Sequence, residues 1–136
     1  MALEVAGAIT TITALIATCN QAVSFVGGVV KAGTARNAIL QELRFSILTL
    51  YKIKDAVGEY GDQVSNLRSL TVKGGWADHY KELVEALVDK LVKKRGLKDV
   101  YKRIKFVVDE ADIQNELDTL QRYRSHFEEC LSVDQL

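Results

Sequence analysis

The chain has 136 residues, 48% of them hydrophobic and 26% charged, and its 18 Lys and Arg balance its 18 Asp and Glu. That apolar fraction excludes a disordered chain, and zero net charge removes any whole-molecule case for a nucleic-acid binder. Two cysteines are too few for a disulfide scaffold, so stability must come from one core, and the absence of Pro favours long helices.

The first thirty residues are the least ordinary. Glu4 is their one charge, and the first basic residue is Lys31. A secretory signal would begin with positive charge, and Ala2 rules out N-myristoylation. Val5, Ile9, Ile12, Ile16, Cys19, Val23, Val26 and Val30 follow one another in steps of three and four, the seam of a helix. Leu15, Ala22, Phe25 and Val29 widen it. Thr10, Thr13, Ala17, Gln21 and Ser24 fall opposite, where a surface helix would carry Lys and Glu. Two readings follow: a core helix of a bundle, or a bundle helix that can also enter a membrane, since small uncharged residues cost little in lipid compared with charges. Gly27, Gly28 and Gly33 are expected to end this helix, and Thr34 to cap the next.

A second helix is expected from about Ala35 to Gly58, with Ile39, Leu43, Ile47, Leu50, Lys54 and Val57 as its stripe and Leu40, Phe45 and Ile53 beside it. Residues 58–75, punctuated by Gly58, Gly61, Gly74 and Gly75, read as a helical extension or short helix and then a loop. Trp76, Tyr80, Leu83, Val84, Leu87, Val88 and Leu91 predict a third helix that Gly96 stops, with Glu82, Glu85, Asp89, Lys90 and Lys93 on its other side. A further helix is expected from near Leu97 through Val100, Tyr101 and Ile104, interrupted at Phe106-Val107-Val108. Asp109 would cap the last helix, whose buried face holds Ile113, Leu117, Leu120, Phe127 and Leu131, with Tyr123 or Arg124 between. The expected fold is all-α, an antiparallel bundle of four main helices plus one or two short ones, forming a single domain over residues 1–136. The chain is expected to be one module of a longer protein.

No catalytic constellation is present, and no enzyme activity, cofactor or metal is expected. His79 and His126 lie on different helices, and the glycine pairs match no phosphate-loop spacing. Cys19, on the seam, is expected to be a buried thiol. Lys90, Lys93, Lys94, Arg95, Lys98, Lys102, Arg103 and Lys105 are opposed only by Asp99, a local +7, and five acids follow between Asp109 and Asp118. Two solvated faces would account for both runs. Alternatively the basic run meets anionic headgroups, at about 1 kcal/mol per Lys or Arg near the surface. Nucleic acid is the weaker partner, because no aromatic residues interleave on a recognisable binding face.

Val5-Ala6-Gly7-Ala8, the Thr- and Ile-rich helix that ends at Ser24-Phe25-Val26, the segment Ile104-Lys105-Phe106 with Asp109-Glu110, and Leu117-Asp118-Thr119-Leu120-Gln121-Arg122-Tyr123-Arg124 together resemble the fungal HeLo-like domains. These stand at the N-termini of fungal STAND (NLR-like) receptors and of amyloid-signalled cell-death effectors, and are similar to the four-helix domain of the necroptosis effector. The resemblance runs through nearly the whole chain, on hydrophobic patterns. It implies a helical bundle that is oligomerised by a partner domain, moves from the cytoplasm to the plasma membrane and permeabilises it, as in heterokaryon incompatibility and fungal innate immunity. The inserting element would be the N-terminal helix, here Leu3, Glu4, Val5, Ile9, Ile12, Leu15, Ile16, Val23, Phe25 and Val26. The sequence contains neither the amyloid motif nor the nucleotide-binding domain of the family's longer members. The expected partners are anionic lipids, further copies of the domain and other domains of a longer chain. The other reading is a non-lytic interaction or autoinhibitory domain of such a receptor.

Overall fold

A computed structural model describes the backbone of residues 2–30, 33–60, 70–98 and 110–134, and the side chains of residues 5–28, 30, 33–60, 70–92, 111, 113–129 and 131. Four long helices account for nearly all of it: α1 (Ala2–Val29), α2 (Thr34–Tyr60), α3 (Trp76–Lys98) and α4 (Glu110–Asp134). No strand occurs among the described residues. The all-α bundle is as the periodicity predicts.

Side-chain pairings fix how the helices lie. The connection between α1 and α2 is only a few residues long, which makes them an antiparallel hairpin. In the second hairpin Trp76 meets His126 while Lys90 meets Glu116, so α3 and α4 are also antiparallel. The hairpins pack side by side. α1 touches α2 and α3, and α4 touches the same two. Tyr80 of α3 lies beside Cys19 of α1, and further along α3 Val84, Glu85, Val88 and Asp89 share a groove with Thr18, Gln21 and Phe25, so these two helices run in the same direction.

The core lies where the four apolar stripes meet. Ile12, Leu15, Cys19 and Val26 of α1, Ile39, Leu43, Leu50 and Ile53 of α2, Tyr80, Val84, Leu87 and Leu91 of α3, and Ile113, Leu120 and Phe127 of α4 are all sealed from solvent. Each such Leu or Ile contributes about 2 kcal/mol through removal of apolar surface from water.

Local chemistry shifts several expected boundaries. Gly27 and Gly28 do not end α1, which runs on to Val29, with the Val30 N–H donating to the Val26 carbonyl at 3.0 Å. A glycine inside a helix costs only about 1 kcal/mol, and continuing the helix keeps both Val26 and Val30 fully buried. The α2 cap falls on Gly33, whose carbonyl accepts the Asn37 N–H at 3.0 Å, so Thr34 is the first helical residue instead of the cap. Gly96 does not stop α3, which continues through Leu97 to Lys98. Leu97 therefore belongs to α3 and does not open a new helix. Val100, Tyr101, Ile104, the 106–108 interruption and the Asp109 cap lie outside the described residues, as do residues 61–69. Two expected apolar positions are peripheral: Phe45 is 42% exposed and Trp76 37%.

The start of α3 is a built corner. Gly74 has φ +78°, in the left-handed region that favours glycine. The turn closes with the Gly75 N–H donating to the Val72 carbonyl at 2.8 Å. Asp78, in the first turn, accepts the Gly74 N–H at 2.7 Å and complements the helix dipole.

Candidate functional site

The candidate site is α1 and the cradle that holds it. From Val5 onward α1 has no charged residue. Of the predicted insertion set, Ile12, Leu15, Ile16 and Val26 are buried, and Val5, Ile9, Val23 and Phe25 are half-buried against the same core. The side chains of Leu3 and Glu4 lie outside the described set. Thr10, Thr13, Ala14, Ala17, Asn20, Gln21, Ser24 and Gly28 are exposed. Val5–Gly28 is a 24-residue stretch of mean hydropathy 1.4, long and apolar enough to cross a membrane, and most of it is not fully buried in the bundle. A core helix of a soluble bundle meets the same length and hydropathy test.

The threonines of α1 carry a feature that periodicity alone does not reveal. The hydroxyls of Thr10, Thr11 and Thr18 donate to the carbonyls of Ala6, Gly7 and Ala14, at 2.9, 3.0 and 3.1 Å. Each proton is satisfied one turn back on the same helix. Such a hydroxyl does not depend on water, which lowers the cost of moving it into a medium without hydrogen-bonding partners.

Two polar ties join α1 to the rest. Arg36 of α2 reaches back to the Gly27 carbonyl at 3.5 Å. α1 has no basic residue in its last turn, so this guanidinium supplies the positive charge that a helix C-terminus favours. The second is a contact in the core. The Tyr80 hydroxyl of α3 donates to Ser46 Oγ of α2 at 2.6 Å, and Cys19 of α1 lies beside the same tyrosine. Burial pushes the Cys19 thiol up to about 12, and the neighbouring Tyr80 hydroxyl offsets only part of that. Burial also drives Tyr80 well above its ordinary range. Both groups are neutral at physiological pH, as a charge-free α1 interface requires.

The predicted headgroup set divides. Lys90 is half-buried, with Nζ 2.7 Å from Glu116 Oε1 of α4, so it is engaged within the bundle. Lys93, Lys94, Arg95 and Lys98 follow on the last turns of α3, their side chains beyond the described set, and Lys102, Arg103 and Lys105 lie outside the described residues. The groove pairing sets residues 84–89 of α3 level with residues 18–25 of α1. The last turns of α3 therefore stand at the end of the bundle where α1 finishes, remote from Glu4.

Elsewhere the side chains read as structural. Glu42 is almost completely buried, and Arg124 Nε donates to its Oε1 at 2.8 Å. The same guanidinium donates to Glu128 at 3.0 Å and lies 5.2 Å from the centre of the Phe45 ring. These partners raise the Arg124 pKa further, the bond to Glu42 first among them. His126 stacks on Trp76 with ring centres 3.9 Å apart, and His79 is 4.0 Å from Glu82. Among the described residues no group of three His, Cys, Asp or Glu could hold a metal ion. No family model, curated protein or solved structure matches this chain.

Proposed function

We propose that the domain is a membrane-permeabilising module of programmed cell death, activated by clustering, in which α1 leaves the bundle and enters an anionic bilayer. The observation that carries this reading is the two-faced character of α1. One face is apolar and seated in the core, while the other is exposed and uncharged, with three hydroxyls satisfied on their own helix. The resemblance to HeLo-like domains supplies the context, the cytoplasm at rest and the plasma membrane on activation. Helix length agrees with the role, since α1 spans roughly 42 Å, more than the hydrocarbon thickness of about 30 Å. The basic last turns of α3 stand beside the C-terminal end of α1, which suits headgroup contact there while the Glu4 end leads.

Withdrawing α1 exposes its apolar face to water, so an isolated domain stays closed and the bilayer or neighbouring copies must compensate. The test is dye release from phosphatidylcholine vesicles with and without phosphatidylserine, by the domain fused to an oligomerising tag. Release is expected only with the anionic lipid. Gln21→Lys, on the exposed face, should leave the fold helical and stop release, since a Lys in the bilayer centre costs about 3 kcal/mol. A folded, clustered domain that releases no dye with either lipid would overturn the proposal in favour of a non-lytic interaction domain. Full burial of Ile12 and Leu15 is also what that second reading expects.

A further inference from the structure

The outward row of α2 gathers exposed apolar side chains on one helix face. Gln41, Arg44, Phe45, Leu48, Tyr51 and Lys52 follow one another at helical spacing, and all are exposed. Phe45, Leu48 and Tyr51 are three of the seven large hydrophobics exposed among the described residues; the other four, Tyr60, Val72, Trp76 and Val92, do not share this row. A large apolar row kept in water marks a contact site. Asn37, Leu40, Gln41, Arg44, Phe45 and Leu48 border a shallow groove along it. Between Thr34 and Lys54 the one acid of α2 is Glu42, which is buried and paired with Arg124. Arg44 and Lys52 are therefore the charges this row presents. Exposed carboxylates flank it: Asp118 of α4, Asp55 beyond Tyr51, and Glu128 of α4, which is neutralised by the Arg124 that lies over Phe45.

We infer that this row is a docking surface for an anionic bilayer, used by the closed domain before α1 moves. Charge decides the occupant. A second copy meeting this face across a two-fold axis at Leu48 would set Arg44 against the Lys52 of its mate, two cations in opposition. An anionic lipid surface complements both, and Phe45, Leu48 and Tyr51 have the aliphatic and aromatic character that settles at headgroup level. The inference extends the membrane reading but stands on α2 alone, because docking requires no release of α1.

The experiment is co-sedimentation of the untagged domain with phosphatidylcholine vesicles, with and without phosphatidylserine, alongside dye release by the tagged form. Wild type should bind only the anionic vesicles. Leu48→Glu/Tyr51→Glu and Arg44→Gln/Lys52→Gln should each weaken binding by about tenfold or more. All four positions are exposed, so the thermal melts should match wild type. Unchanged binding in both variants, absence of wild-type binding, or a wild-type dimer that Leu48→Glu/Tyr51→Glu dissociates would overturn the inference. Binding without dye release, in contrast, would defeat only the proposed insertion of α1. Gln21→Lys separates the two from the other side: it should abolish release and leave binding intact.

Discussion

The seam around α1 and the seam between α2 and α4 lie in one bundle and hold in different ways. Between α2 and α4 a buried Glu42 is paired with a half-buried Arg124, their side chains 9% and 16% exposed. Separating these helices leaves a carboxylate in the core without its cation, a large penalty. The α1 seam has no ion pair to break from Val5 onward, because α1 has no charge there. It is held by apolar packing, a neutral thiol–hydroxyl contact and one arginine at a helix end. An apolar face can exchange one apolar surrounding for another, whereas a paired buried charge cannot. Among the described residues, α1 is the one helix of the four whose departure breaks no ion pair.

The largest expected effect lies at the charged seam. Arg124→Ala should destabilise the domain by about 3–5 kcal/mol in urea unfolding, because Glu42 remains buried without its partner. Replacing both members with apolar residues of similar size should recover most of that loss. A loss below about 1 kcal/mol for Arg124→Ala would erase the contrast between the seams. A smaller effect is expected from Tyr80→Phe, which removes the hydroxyl between Ser46 and Cys19 and should cost about 1–2 kcal/mol. It should also speed dye release from anionic vesicles, since α1 loses one of its two polar ties.

The last effect is absent at neutral pH and appears only in alkali. The folded-state pKa of Cys19 is raised from 9.0 to about 12, so the native state holds the thiol proton more tightly than the unfolded chain does. That contribution is fully present below about pH 9 and is lost as pH rises toward 12. Stability should therefore decline across that window, and less steeply in Cys19→Ala, as measured by urea midpoints at successive pH values.

Much of this organisation is legible in the sequence. The α1 seam through Ile12, Ile16, Cys19 and Val26, and the α4 face through Ile113, Leu117, Leu120 and Phe127, follow from steps of three and four because one face meets a core and the other meets water. The small exposed face of α1 is legible for the same reason. The ends of α1 and α3 are not, because glycine lowers helix propensity without forbidding a helix that buries Val26 and Val30. The buried polar residues Glu42, Ser46 and Thr49 are hidden too. Two of them have partners far along the chain, Arg124 for Glu42 and Tyr80 for Ser46, and periodicity carries no information on distant pairing, while Thr49 bonds one turn back to the Phe45 carbonyl. An Arg in the otherwise apolar face of α4, beside Tyr123, was the available signal for the first pair. The exposure of Phe45 is likewise a tertiary fact, since its position on α2 fits either the rim of the core or the surface.

The most direct test of the central claim is to place a nitroxide at Thr13→Cys in a Cys130→Ser background. Thr13 is exposed in the closed bundle, whereas Cys19 is sealed, so labelling in solution selects the introduced thiol. Spin-label relaxation is then read with oxygen, which concentrates in lipid, and with a water-soluble nickel complex. In solution the label should be open to nickel. With the clustered domain on anionic vesicles it should lose contact with nickel and gain contact with oxygen, at the same protein concentration at which dye escapes. A label that remains open to nickel while the vesicles leak would contradict the entry of α1 into the bilayer.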